Sequence, residues 1–167
     1  MKRFLSFPNP VNDAAARTVA LGVLTLSMLA LVTNTAWLLI PLTYGFVVRV
    51  LAGPKLSPLG QFATRVAAPR LRAWTKQVPG PPKRFAQGIG AALTLSASVI
   101  WLADSWSVAR WLLVPLVGAA ALEGLAGFCV GCTMFGWLIR AGVVPESVCA
   151  QCGDLRERYA AAGYPVD

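Results

Sequence analysis

The apolar stretches of this chain are too long and too closely spaced to be the buried core of a small water-soluble fold. One run begins near Ala14 and reaches about Val32, and a second follows from Ala36 to about Leu51, with only Thr33, Asn34 and Thr35 between them. A single helix through both would far exceed a hydrocarbon layer of roughly 30 Å at about 1.5 Å per residue, so the pair is expected to fold as a tight hairpin of two membrane spans. Composition agrees, because only 13% of the 167 residues are charged, about half the share of an ordinary soluble domain. The first run is not read as a cleaved signal peptide, since no small-residue cleavage site is followed by a polar mature sequence.

Two further spans are expected, at about 85–103 and 107–126. The third is rich in small residues that let helices approach closely in lipid, and Asp104 and Ser105 mark the turn between the two. The apolar stretch after Gly127 is too short to cross again and is expected to form a short helix from Thr133 to Arg140 at the interface. The segment 53–84 is proline-rich and cannot span; Ser57-Pro58 offers a helix cap with proline at the first helical position, and short amphipathic helices lying on the headgroups are expected there. The fold class is therefore an all-α integral membrane protein: one domain over 1–167, spans about 14–32, 36–51, 85–103 and 107–126, a basic loop at 53–84 and a cysteine-bearing C-terminal segment at 127–167.

A formal charge of +8 would suggest nucleic acid for a soluble chain. Its placement argues against that partner. Lys55, Arg65, Arg70, Arg72, Lys76, Lys83 and Arg84 all fall in the one loop with no acid among them, the pattern of a cytoplasmic loop facing an anionic leaflet. Four spans then place both termini in the cytoplasm. The lipid bilayer is the expected partner and an inner membrane the expected location.

The chain has no histidine, which removes Ser-His-Asp chemistry and histidine-bound zinc. Its four cysteines form two C-x-x-C pairs, Cys129 with Cys132 and Cys149 with Cys152, sixteen residues apart. That spacing fits two chemistries. Four thiolates can close a tetrahedral structural zinc site, whereas thiols three residues apart on a helix can work as a redox dithiol whose attacking thiolate is stabilised at a helix N-terminus. Pro145, Glu146 and Ser147 resemble a helix start, so Cys149 is expected to attack and Cys152 to resolve. Glu123 is the one acid inside a predicted span, and Arg17 and Arg49 lie at a similar depth by residue count, so a charge-tuning pair or triad beside Cys129 is expected.

Gly127-Phe128-Cys129-Val130-Gly131-Cys132 resembles a motif of the bacterial membrane domain-of-unknown-function family 4395. The segment Gly80-Pro81-Pro82-Lys83-Arg84-Phe85-Ala86-Gln87 is similar to a second one. Pro10-Val11-Asn12, Arg17, Ser57-Pro58-Leu59 and the run from Val144 to Cys152 add to the likeness, which covers nearly the whole chain. The resemblance implies a multi-span architecture. It also implies thioredoxin-like proteins or sulfurtransferases as partners, because members of the family occur beside them. The resulting expectation is a membrane protein whose cysteines exchange disulfide or sulfur with such a soluble protein; the alternative is a non-enzymatic scaffold with a four-cysteine zinc site.

Overall fold

The computed structural model describes residues 9–71, 77–145 and 148. Cys149 and Cys152, the expected attacking and resolving pair, lie outside the described residues. Four helical stretches are long and apolar enough to cross a membrane, and the chain is a helical membrane protein.

The first helix, α1 (Asp13–Val32), is started by Asn12, whose Oδ1 accepts from the backbone N–H of Ala14 at 2.9 Å and of Ala15 at 3.3 Å. Two of the helix's unpaired N–H groups are thereby satisfied. Val11–Asn12 also pair antiparallel with Gln77–Val78, as strands β1 and β2, a two-residue sheet that the all-α expectation did not contain. Asn34, with φ 54°, makes the turn into a short 3-10 segment and α2 (Leu39–Ala52). Trp37 and Trp101 meet edge to face at that end of the bundle, with ring centroids 5.1 Å apart, and Trp106 Nε1 donates to Asn34 Oδ1 at 2.6 Å.

After Gly53 the chain forms a short 3-10 turn and then α3 (Pro58–Phe62), capped by Ser57, a π turn over Ala63–Ala67 and α4 (Ala68–Arg70). The next long helix, α5 (Gly80–Leu102), starts five residues before the expected 85. Pro81 and Pro82 occupy its first turn, where a missing N–H costs nothing. This shift takes Lys83 and Arg84 out of the loop and puts them on the helix.

The fourth span begins with α6 (Trp106–Ala109), passes through a 3-10 turn at Arg110–Leu112 and continues as α7 (Leu113–Ala121). Its last turn, Leu122–Ala126, is widened to π geometry and ends at Gly127, whose φ of 72° only glycine adopts freely. The reversal lets α8 (Val130–Arg140) begin three residues earlier than expected, with Cys129 as its cap. Leu39, Leu42 and Leu113 are fully enclosed between the spans, and Gly90 sits where a Cβ would run into the Phe46 ring. A Cβ on Gly131 would sit 2.7 Å from the Ala86 Cα, so the first turn of α8 lies directly on α5.

Candidate functional site

Three spans and α8 converge on a buried group of charges beside two thiols. Arg17 Nε donates to Asp13 Oδ2 at 2.9 Å, one turn along α1. Lys83 Nζ, on the first turn of α5, lies 3.9 Å from Asp13 Oδ1 and donates to Glu123 Oε1 at 2.5 Å. Glu123 belongs to the π turn that ends the fourth span, a distortion common where a helix serves a site. Lys83 is only 7% exposed, yet its charge is matched from both sides. The row Arg17, Asp13, Lys83, Glu123 carries two positive and two negative charges and is neutral as a unit.

Glu123 thus pairs with Lys83, where the sequence suggested an arginine. Arg17 belongs to the same cluster through Asp13, and its guanidinium also packs against Gly127 where a Cβ would stand. Arg49 lies elsewhere. Its Nε donates to Gln87 Oε1 at 2.8 Å, its Nη1 to Ser57 Oγ at 3.1 Å, and its guanidinium carbon lies 4.8 Å from the centre of the Phe46 ring. Sequence reasoning missed Lys83 and Asp13 as site residues; the available signal was the four-residue spacing of Lys83 and Gln87, which places both on one face of a helix once the helix starts at Gly80.

Cys129 and Cys132 are free thiols, both partly buried. Cys129 caps α8, and its Sγ accepts from the backbone N–H of Cys132 at 3.4 Å. The Cys132 thiol donates to the Cys129 sulfur, and this bond, aided by the Lys83 ammonium and the Cys132 backbone, holds the Cys129 thiol below its ordinary range, against burial and the Glu123 charge. Cys132 is driven far up, first by its bond to Cys129 and then by burial. The two sulfurs are therefore unequal: one is set up to carry negative charge and the other to keep its proton.

A cavity of about 90 Å³ adjoins this site. Glu123, Cys129 and Gln87 are among its lining residues, and the wall is otherwise largely apolar, including Val19, Phe46 and Leu116. Among the described residues, no group of three or more cysteine and carboxylate side chains is placed to hold a metal ion. The four-cysteine zinc reading depends on Cys149 and Cys152, outside that range.

Fold and site together define a small helical membrane protein with a C-x-x-C pair at a helix start, backed by a buried ion-pair network. The chain belongs to the domain-of-unknown-function family DUF4395, whose match covers residues 11–140. No curated protein and no solved structure matches it.

Proposed function

We propose that this protein is a membrane thiol–disulfide or sulfur-relay partner of a soluble thioredoxin-like protein or sulfurtransferase, with Cys129 as the attacking thiol and Cys132 as the resolving one. The observation that carries the reading is the inequality of the two sulfurs at the start of α8. The Cys129 thiolate attacks a partner disulfide R–S–S–R′; the Cys129–S–S–R bond forms, the S–S bond of the partner breaks, and R′–S⁻ leaves and takes a proton. Cys132 then loses its proton and attacks the Cys129 sulfur. R–S⁻ is released, so the dithiol is oxidised by two electrons and the partner disulfide reduced; the reverse sequence oxidises the partner. Glu123 and Lys83 set the charge around the first thiolate; the Cys149–Cys152 dithiol then exchanges with the Cys129–Cys132 disulfide, whose S–S bond breaks to return both thiols while the Cys149–Cys152 S–S bond forms. The basic loop, whose sequence carries no acid, supports an orientation with both termini and the thiols on the cytoplasmic side of an inner membrane.

Oxidised thioredoxin serves as the test partner. With Cys132→Ser the mixed disulfide cannot be resolved, so a covalent adduct at Cys129, removed by reductant, is expected on non-reducing gels. An adduct only at Cys149 would move the attack to the second pair. One zinc per chain, with all four cysteine-to-serine variants equally destabilised and no adduct, would establish the scaffold reading in place of exchange.

A further inference from the structure

Among the described residues Arg49 is a buried cation without an acid. It is 5% exposed, and among the described residues its contacts are all neutral: the Gln87 carboxamide, the Ser57 hydroxyl and the Phe46 ring. A guanidinium in a membrane bundle is costly unless an opposite charge lies within reach. Among the described residues the four-residue row beside the thiols is formally neutral, and no acid there matches Arg49.

The orientation of Gln87 connects that cation to the thiols. A guanidinium only donates, so the carboxamide oxygen must face Arg49 and the NH₂ group must face away from it. Among the described residues nothing accepts from that NH₂. Gln87 lines the same cavity as Cys129, and the first turn of α8 rests on Ala86, its neighbour in the chain. A carboxamide whose oxygen is bound to a cation becomes a stronger donor at nitrogen.

We infer that Gln87, turned and polarised by Arg49, donates a hydrogen bond across the cavity to the Cys129 sulfur once that sulfur carries the negative charge, so that Arg49 is the distant counter-charge of the thiolate. The inference rests on the thiol-exchange reading and adds two residues to it. Gln87 acts on the reacting sulfur from across the cavity; Arg49 is a positioning residue that acts through Gln87, and Ser57 holds the guanidinium at Nη1. Among the described residues, with the thiolate formed, three buried cations (Arg17, Lys83, Arg49) balance three anions (Asp13, Glu123, Cys129). The groups acting on the sulfur are Lys83 from α5, Glu123 from the π turn and Cys132 from α8, with Gln87 across the cavity and Asp13 and Arg17 of α1 further along the ion-pair row.

The test is the pH dependence of iodoacetamide alkylation at Cys129, resolved by peptide mass spectrometry on the full chain in nanodiscs. Gln87→Met removes the donor without adding charge and is expected to raise the alkylation midpoint by about one pH unit. Arg49→Met raises it less, and added to Gln87→Met it shifts the midpoint no further, because its route to the sulfur is already cut. Should Gln87→Met fold poorly, Gln87→Glu keeps Arg49 paired while still removing the donor, and the midpoint rises again. A midpoint unmoved in both Gln87 variants, with the wild type below an ordinary thiol at about 8.5, overturns this inference alone. A wild-type midpoint at or above that value overturns the exchange reading first, and this inference with it.

Discussion

Lys83 stands between two carboxylates, and its two neighbours make opposite predictions for the thiol beside it. Lys83→Met leaves Glu123 and Asp13 facing one another with no cation between them, while Glu123→Gln leaves Lys83 with Asp13. By inverse distance, the 3.9 Å contact to Asp13 supplies roughly 60% of the attraction that the 2.5 Å contact to Glu123 supplies. Breaking a buried pair outright costs about 3–5 kcal/mol, so Lys83→Met is expected near that figure, and Glu123→Gln at about half of it because the second contact remains. For a chain of this size the first corresponds to a melting-temperature drop of roughly 10 °C and the second to roughly 5 °C, read by thermal unfolding in detergent. The thiol responds differently. The Lys83 ammonium favours the Cys129 thiolate and the Glu123 charge disfavours it, so Lys83→Met should raise the alkylation midpoint of Cys129 and Glu123→Gln should lower it. Shifts in the same direction for both variants, or equal losses of stability, would refute the account of Lys83 as a shared cation.

Gly131→Ala places a methyl 2.7 Å from the Ala86 Cα; α8 must lift from α5, and Cys129 should alkylate with the pH dependence of an ordinary thiol although the protein remains helical by circular dichroism. Gly127→Ala combines a φ of 72° with a Cβ driven into the Arg17 guanidinium, and a loss of about 2 kcal/mol or more is expected in chemical unfolding. Cysteine-scanning labels placed in the basic loop, at Lys55 or Arg65, should react with a membrane-impermeant maleimide only after cells are opened; labelling of intact cells would reverse the proposed orientation.

The spans are legible in the sequence because crossing a bilayer demands about twenty apolar residues, a requirement met by composition over a window rather than by any one contact. The start of α5 is not legible in that way. Prolines and cations count against a span in any hydropathy window, yet Pro81 and Pro82 fit a first helical turn, and the Lys83 ammonium is made tolerable by Asp13 and Glu123, residues 70 and 40 positions away. Local spacing reports no such pairing. The chemistry of Cys129 is hidden for a related reason. Cysteine is not among the usual capping residues, so the helix-start signals of Pro145, Glu146 and Ser147 draw attention to Cys149, while Cys129 becomes a cap only because the π turn at Leu122–Ala126 and left-handed Gly127 end one helix directly before it. Glycine just past a helix end is a readable stop signal, whereas the widened turn before it lies against α1, with Gly124 facing Leu21, a long-range contact that local spacing does not report.

The central claim is that the two thiols of the first pair are unequal, with Cys129 the nucleophile. Site-resolved alkylation of the reduced wild-type protein in native membranes, followed across pH 5 to 10, reads this directly. The account predicts that Cys129 is modified first, with a midpoint below the ordinary thiol value of about 8.5, and that Cys132 stays protected until Cys129 has reacted or the pH is far higher. Equal rates at the two positions, or earlier modification of Cys132, would contradict it.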